Sequence, residues 1–67
     1  MPVKVNIAGE RKPKIVEVSR IKVKDLLAKL GLNPTEYVVL KDGEILVDDD
    51  EVVDGEVVTV FTVKSGG

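Results

Sequence analysis

Only one segment of this chain carries a helical period, and that limits the fold to very few designs. Val23, Leu26, Leu27 and Leu30 stand at i, i+3, i+4 and i+7, so all four project from one side of a helix. Its end is equally explicit. Gly31 can take the left-handed conformation just past the helix, Leu32 then falls where a Schellman motif packs an apolar residue back onto Leu27, and Asn33-Pro34 forbids continuation. Lys24 and Lys29 point outward as solvated face. A single amphipathic helix can cover one face of one sheet, so the remaining apolar residues must supply that sheet.

They do so with a period of two. Val3, Val5 and Ile7 alternate with Lys4 and Asn6, which predicts a first strand over residues 2–8. The turn residues Gly9 to Pro13 hand the chain to a second alternating run, residues 14–19, with Val16 and Val18 on one face. Beyond the helix and a connector over residues 33–36, Tyr37-Val38-Val39-Leu40 reads as a strand, Asp42-Gly43 as a type I′ hairpin turn and Ile45-Leu46-Val47 as the short return strand. Asp48-Asp49-Asp50-Glu51 is too dense in like charge for a sheet interior and reads as a loop, with Val52-Val53 tucked under the domain. Asp54-Gly55-Glu56 is a further turn, and residues 57–63 form the last strand. The first and last strands, the longest alternating ones, become candidates for a central parallel pair. The expected class is α+β, a β-grasp with one helix packed on a mixed sheet of four to five strands. Residues 1–63 form the domain, and residues 64–67, with nothing apolar to bury, a flexible tail.

Composition narrows function. At 67 residues the chain has room for one small domain. It has no Cys and no His, which removes thiolate nucleophiles, imidazole bases and the usual zinc and haem ligands, so a carrier, modifier or binding module is favoured over an enzyme. The acidic run lacks the downstream Gly and Glu of an EF-hand loop, so no metal is expected. No apolar stretch is long enough to span a membrane and the N-terminus lacks a signal-peptide core, which makes cytoplasmic the default location. Residues 1–35 carry eight lysines and arginines against three acids, residues 36–67 two against nine. Both regions read first as solvated surface, and a sequence pI near 5.0 speaks against direct nucleic-acid binding.

The strand order, the run Leu30-Gly31-Leu32-Asn33-Pro34, the hairpin Lys41-Asp42-Gly43-Glu44, the turn Asp54-Gly55-Glu56 and the closing Gly66-Gly67 together resemble the ubiquitin-like sulfur carriers. That family includes the ThiS, MoaD and TtuB carriers, the archaeal small modifier proteins and the eukaryotic ubiquitin-related modifier. The resemblance runs along the whole chain and is strongest to the tRNA-thiolation carriers and archaeal modifiers. It implies that the carboxylate of Gly67 is the reacting group. A ubiquitin-activating-like adenylyltransferase would adenylate it with ATP, and sulfur from a persulfide enzyme would convert it to a thiocarboxylate. No cofactor is bound by the carrier itself; ATP belongs to the partner. Gly66, lacking a Cβ, would let the tail thread a narrow channel. The sulfur acceptor would be a tRNA thiotransferase making 2-thiouridine, or the thiazole-forming enzyme of thiamin synthesis. Conjugation of Gly67 to lysines of target proteins is a second class of function, and a plain β-grasp binding module a third.

A partner enzyme must also grip the folded body. With Val58 and Val60 taken as core, Phe61 and Val63 turn to the other face of the sheet, where they are expected to form an exposed apolar patch with Tyr37 and Val39, beside the tail residues Lys64 and Ser65. The acidic run could steer a basic enzyme surface. The short strand at Ile45 followed by acids argues against sheet-edge dimers, so a monomer is expected.

Overall fold

In the computed structural model, which describes residues 1–63, the alternating N-terminal segment forms β1 (Val3–Ile7). It pairs antiparallel with β2 (Lys14–Val16), Val3 opposite Val16. On its other side β1 runs parallel to β7 (Val57–Thr62), Val5 opposite Val58 and Ile7 opposite Val60, which is the central parallel pair expected from the alternation. β7 pairs antiparallel with β4 (Tyr37–Lys41), Val39 opposite Val60 and Val38 opposite Phe61. β4 turns through Asp42 and Gly43, both with positive φ (52° and 82°) as a type I′ hairpin requires, into β5 (Glu44–Leu46). The five-stranded sheet therefore has the order β2-β1-β7-β4-β5.

The helix α1 (Val23–Lys29) lies across one face of this sheet. Val23, Leu26 and Leu27 are buried against Val3, Val5, Val16, Val39, Val58 and Val60, with Leu30 and Leu32 packed at the margin. Burying a side chain of this size contributes about 1.5–3 kcal/mol, so these few residues carry most of the stability available to so small a domain. The helix ends as the sequence predicts. The Gly31 N–H donates to the Ala28 carbonyl (3.0 Å) and the Leu32 N–H to the Leu27 carbonyl (2.8 Å), the paired bonds of a Schellman motif, with Gly31 at φ 77°.

Two strands depart from the expected pattern. β3 (Arg20–Lys22) and β6 (Glu51–Val53) form a separate antiparallel pair, Ile21 opposite Val52. The second strand thus ends at Val16 rather than at residue 19, and Glu51 is strand rather than loop. Val52 is fully buried as expected, whereas Val53 is exposed. Strands of three residues are too short for an alternation to be read; they pair with Ile21 and Val52 together against the core and Arg20 reaching Glu51 diagonally across the ladder (3.7 Å).

The acidic run has a structural task besides. The α1 N-terminus has no side-chain cap; instead the Val23 N–H donates to the Asp50 carbonyl (2.9 Å) and the Lys24 N–H to the Asp48 carbonyl (3.1 Å). Asp49 reaches Lys24 (3.4 Å) and Lys22 (3.9 Å). The acidic and basic regions of the sequence are thereby partly folded onto each other. Among the described residues no helix is long and apolar enough to cross a membrane.

Candidate docking face and tail exit

Register decides which residues face away from the helix. Val58 and Val60 are buried on the covered side, so the intervening Thr59 and the following Phe61 face outward. Phe61 is 43% exposed and Val63, just past the strand, 53%, as the alternation of the last strand predicts. The partners of Phe61 across β4 are a different matter. Val39 lies opposite Val60 and is fully buried, and Tyr37 lies opposite Thr62, is half-buried and packs against the core. The expectation that Tyr37 and Val39 join the exposed patch is therefore corrected: they belong to the helix-covered side.

Val38, opposite Phe61, and Leu40, opposite Thr59, take the outward places, and Leu40 in turn faces Ile45, which is 65% exposed. An apolar strip thus runs from Ile45 through Leu40 and Val38 to Phe61 and Val63. Sequence reading missed Val38, Leu40 and Ile45 because the run 37–40 contains no polar residue to mark its outer face. The one available signal was the Asp42-Gly43 turn, which sets Lys41 opposite Glu44 and so aligns Leu40 with Ile45.

The exit of the chain toward its end is pinned to this strip. The Val63 N–H donates to the Glu36 carbonyl (2.8 Å) and the Thr62 hydroxyl to the same carbonyl (3.3 Å). Glu36 is held by the connector, where the Glu36 N–H donates to the Asn33 carbonyl (2.9 Å) and the Asn33 side-chain oxygen accepts from the Thr35 N–H and hydroxyl (3.0 and 2.8 Å). Val63, the last described residue, is therefore fixed at the Glu36 end of β4. The expected site residues Lys64, Ser65, Gly66 and Gly67 lie outside the described residues.

At the opposite end of β7 the turn is locked by Glu56. Its two carboxylate oxygens accept from the Val53 N–H (2.7 Å) and the Lys41 ammonium (2.8 Å). The bond to Lys41, then the one to Val53, holds the Glu56 carboxyl below the usual carboxylate range, and the same bond to Glu56 raises the Lys41 ammonium above its ordinary value. Lys41 is thus committed to structure. Among the described residues no group of His, Cys, Asp or Glu is arranged to hold a metal ion.

The family model described as small archaeal modifier protein 2 matches residues 1–63. A protein of Archaeoglobus fulgidus, described as uncharacterized, is 40% identical over 68 aligned residues, covering the whole of both chains.

Proposed function

We infer function from a plain premise: the chain belongs to the small archaeal modifier protein 2 family, whose members are small ubiquitin-like β-grasp modifiers and carriers. We propose that this protein is a sulfur carrier, a co-substrate rather than an enzyme, whose reacting group is the carboxylate of Gly67. The observation that carries this reading is the pair Gly66-Gly67, four residues past a strand whose end is tied to Glu36 beside an apolar strip.

A carboxylate is a poor electrophile. Activation would join one of its oxygens to the α-phosphorus of ATP as pyrophosphate leaves; the outer sulfur of a persulfide would then displace AMP to give an acyl disulfide, and a second thiol would cleave its S–S bond, releasing the thiocarboxylate and leaving an enzyme disulfide. The adenylyltransferase and the persulfide enzyme supply these reagents. The carrier's own residues supply position: the strip from Ile45 to Val63 docks the body, and glycines at the tail, lacking Cβ, admit close channel walls. Sulfur transfer to a tRNA thiotransferase for 2-thiouridine is the preferred destination, with thiamin thiazole synthesis as the rival, and the cytoplasm the expected site.

A second reading is supported by the family description itself, which names a modifier. There an amine of a target lysine replaces sulfur as the nucleophile and an amide to Gly67 results. One experiment separates the two. The untagged protein is incubated with ATP, a sulfur source and cell extract, and its intact mass is measured. Replacement of one oxygen by sulfur, localised to the peptide containing Gly67, is the expected result. A Ser-Gly-Gly remnant, left by tryptic cleavage after Lys64, on lysines of extract proteins makes modification the main role. An unchanged mass together with no such remnant, in an extract that activates a related carrier, overturns both.

A further inference from the structure

The far edge of the sheet holds a second opening, on the other side of β4 from β7. The β4–β5 ladder stops at the Val39–Leu46 pair. Beyond it the chain leaves the sheet, because the Val47 N–H donates to the Asp50 carboxylate (2.8 Å) and the Asp50 N–H to the Val47 carbonyl (3.0 Å), closing a tight turn. The first residues of β4, Tyr37 and Val38, therefore have no strand beside them on the β5 side among the described residues. In place of a strand there is a groove of about 470 Å³ whose lining includes Tyr37, Val39, Leu46 and Pro34 on the apolar side and the acids Asp48 and Asp49.

Its charge is one-sided. Its lining carries two carboxylates, Asp48 and Asp49, and no lysine or arginine, within a segment, residues 42–51, that has six carboxylates and no basic residue. Glu51 and Asp49 are matched by Arg20, Lys22 and Lys24, but the Asp48 carboxylate makes no ion pair within 4 Å among the described residues. Ile45 and Val47, both exposed, stand between these acids.

From the open strand edge, the apolar floor and the acidic rim we propose that this groove docks an extended segment of a partner protein, one in which apolar residues alternate with lysine or arginine. The segment adds beside Tyr37 and Val38 as a short strand, seats its apolar side chains on the groove floor and presents its cations to Asp48. The groove shares Val38 and Ile45 with the near end of the strip but includes neither Phe61 nor Val63, so a partner held here leaves those two residues free for an activating enzyme. The inference does not depend on the chemistry at Gly67.

The test uses the full chain, isotopically labelled, titrated with the acetylated, amidated hexapeptide of sequence Lys-Val-Lys-Val-Lys-Val, with the glutamate counterpart Glu-Val-Glu-Val-Glu-Val as control. Saturable amide shifts confined to residues 36–39 and 45–49 are expected with the lysine peptide only, and Asp48→Lys should weaken its binding about tenfold or more. Asp48 contributes only its carbonyl to the fold and is exposed, so the variant's unperturbed spectrum elsewhere certifies that it is folded. The proposal is overturned if no shifts appear at about 1 mM lysine peptide, a bound set by millimolar affinity being about 4 kcal/mol. It is also overturned if shifts centre on Phe61, if both peptides act alike, or if groove amides shift with protein concentration alone, which would assign the edge to a second copy of this chain.

Discussion

Val60 and Phe61 are neighbours in the same strand and differ in almost every physical respect. Val60 looks into the helix-covered face and is inaccessible to solvent, together with Val3, Val5, Val39 and Val58. Phe61 looks out of the other face, where Val38, Leu40 and Ile45 make a strip of the same apolar character that no helix covers among the described residues. Both faces are built from β-branched and large apolar residues, so residue type does not distinguish core from contact surface. Coverage does. A domain with a single helix has one lid for two apolar faces, and the uncovered one is left for a partner.

The strongest way to break this comparison is to place the same charge on each face. Val60→Asp buries an unpaired carboxylate and should destabilise the fold by at least about 4 kcal/mol, whereas Phe61→Asp should cost about 1 kcal/mol or less. Denaturant titration of the two variants checks this, and similar losses in both would show that the outer strip is core. On the function proposed above, Phe61→Asp should at the same time depress adenylation of Gly67, read as kcat/KM for pyrophosphate exchange. Removing part of the lid comes next: Leu26→Ala, at a fully buried position, should cost about 2–5 kcal/mol and leave a cooperative transition at lower denaturant.

Gly31→Ala tests the helix end without touching either face. At φ 77° a Cβ meets no neighbour, so its cost is conformational alone, about 1–2 kcal/mol, with docking unaffected. Thermal unfolding measures it, and Gly31→Asn should lose less because Asn tolerates the left-handed region.

The smallest effect belongs to the Lys41–Glu56 lock. Folding lowers the Glu56 carboxyl below its ordinary 4.5, so this contribution is present above that value and is lost as pH falls through the lowered one. Folding raises the Lys41 ammonium above its ordinary 10.5, so that contribution is present below 10.5 and is lost as pH rises through the raised value. Glu56→Gln should therefore be less stable than the parent at pH 7 and converge with it in strong acid. A constant gap between the two unfolding midpoints from pH 7 to acid would show that the carboxylate charge contributes nothing.

Val23, Leu26, Leu27 and Leu30 announced the helix and Gly31-Leu32 its Schellman end, because those signals are local: spacing on one helix and one residue free to adopt positive φ. Val58 and Val60 against Phe61 and Val63 were legible for the same reason, alternation within one strand. Tyr37 and Val39 were assigned to the wrong face because a strand of four apolar residues has no internal parity, and the parity came from β7, about twenty residues away in sequence. Arg20–Lys22 and Glu51–Val53 escaped notice because short charged strands exist only through each other.

Local order, by itself, was thus determined by the sequence: one helix with a defined end, a type I′ hairpin and two long alternating strands suited to the centre of a sheet. Tertiary structure alone decided the register of β4 against β7, the pairing of β3 with β6, the capping of the helix by carbonyls of the acidic run, and the groove left where β5 turns away. The division has a physical cause. Dihedral preferences and periodicity act over a few residues and can be read along the chain, whereas register and burial are settled by contacts between segments far apart in sequence, whose energies no single segment contains.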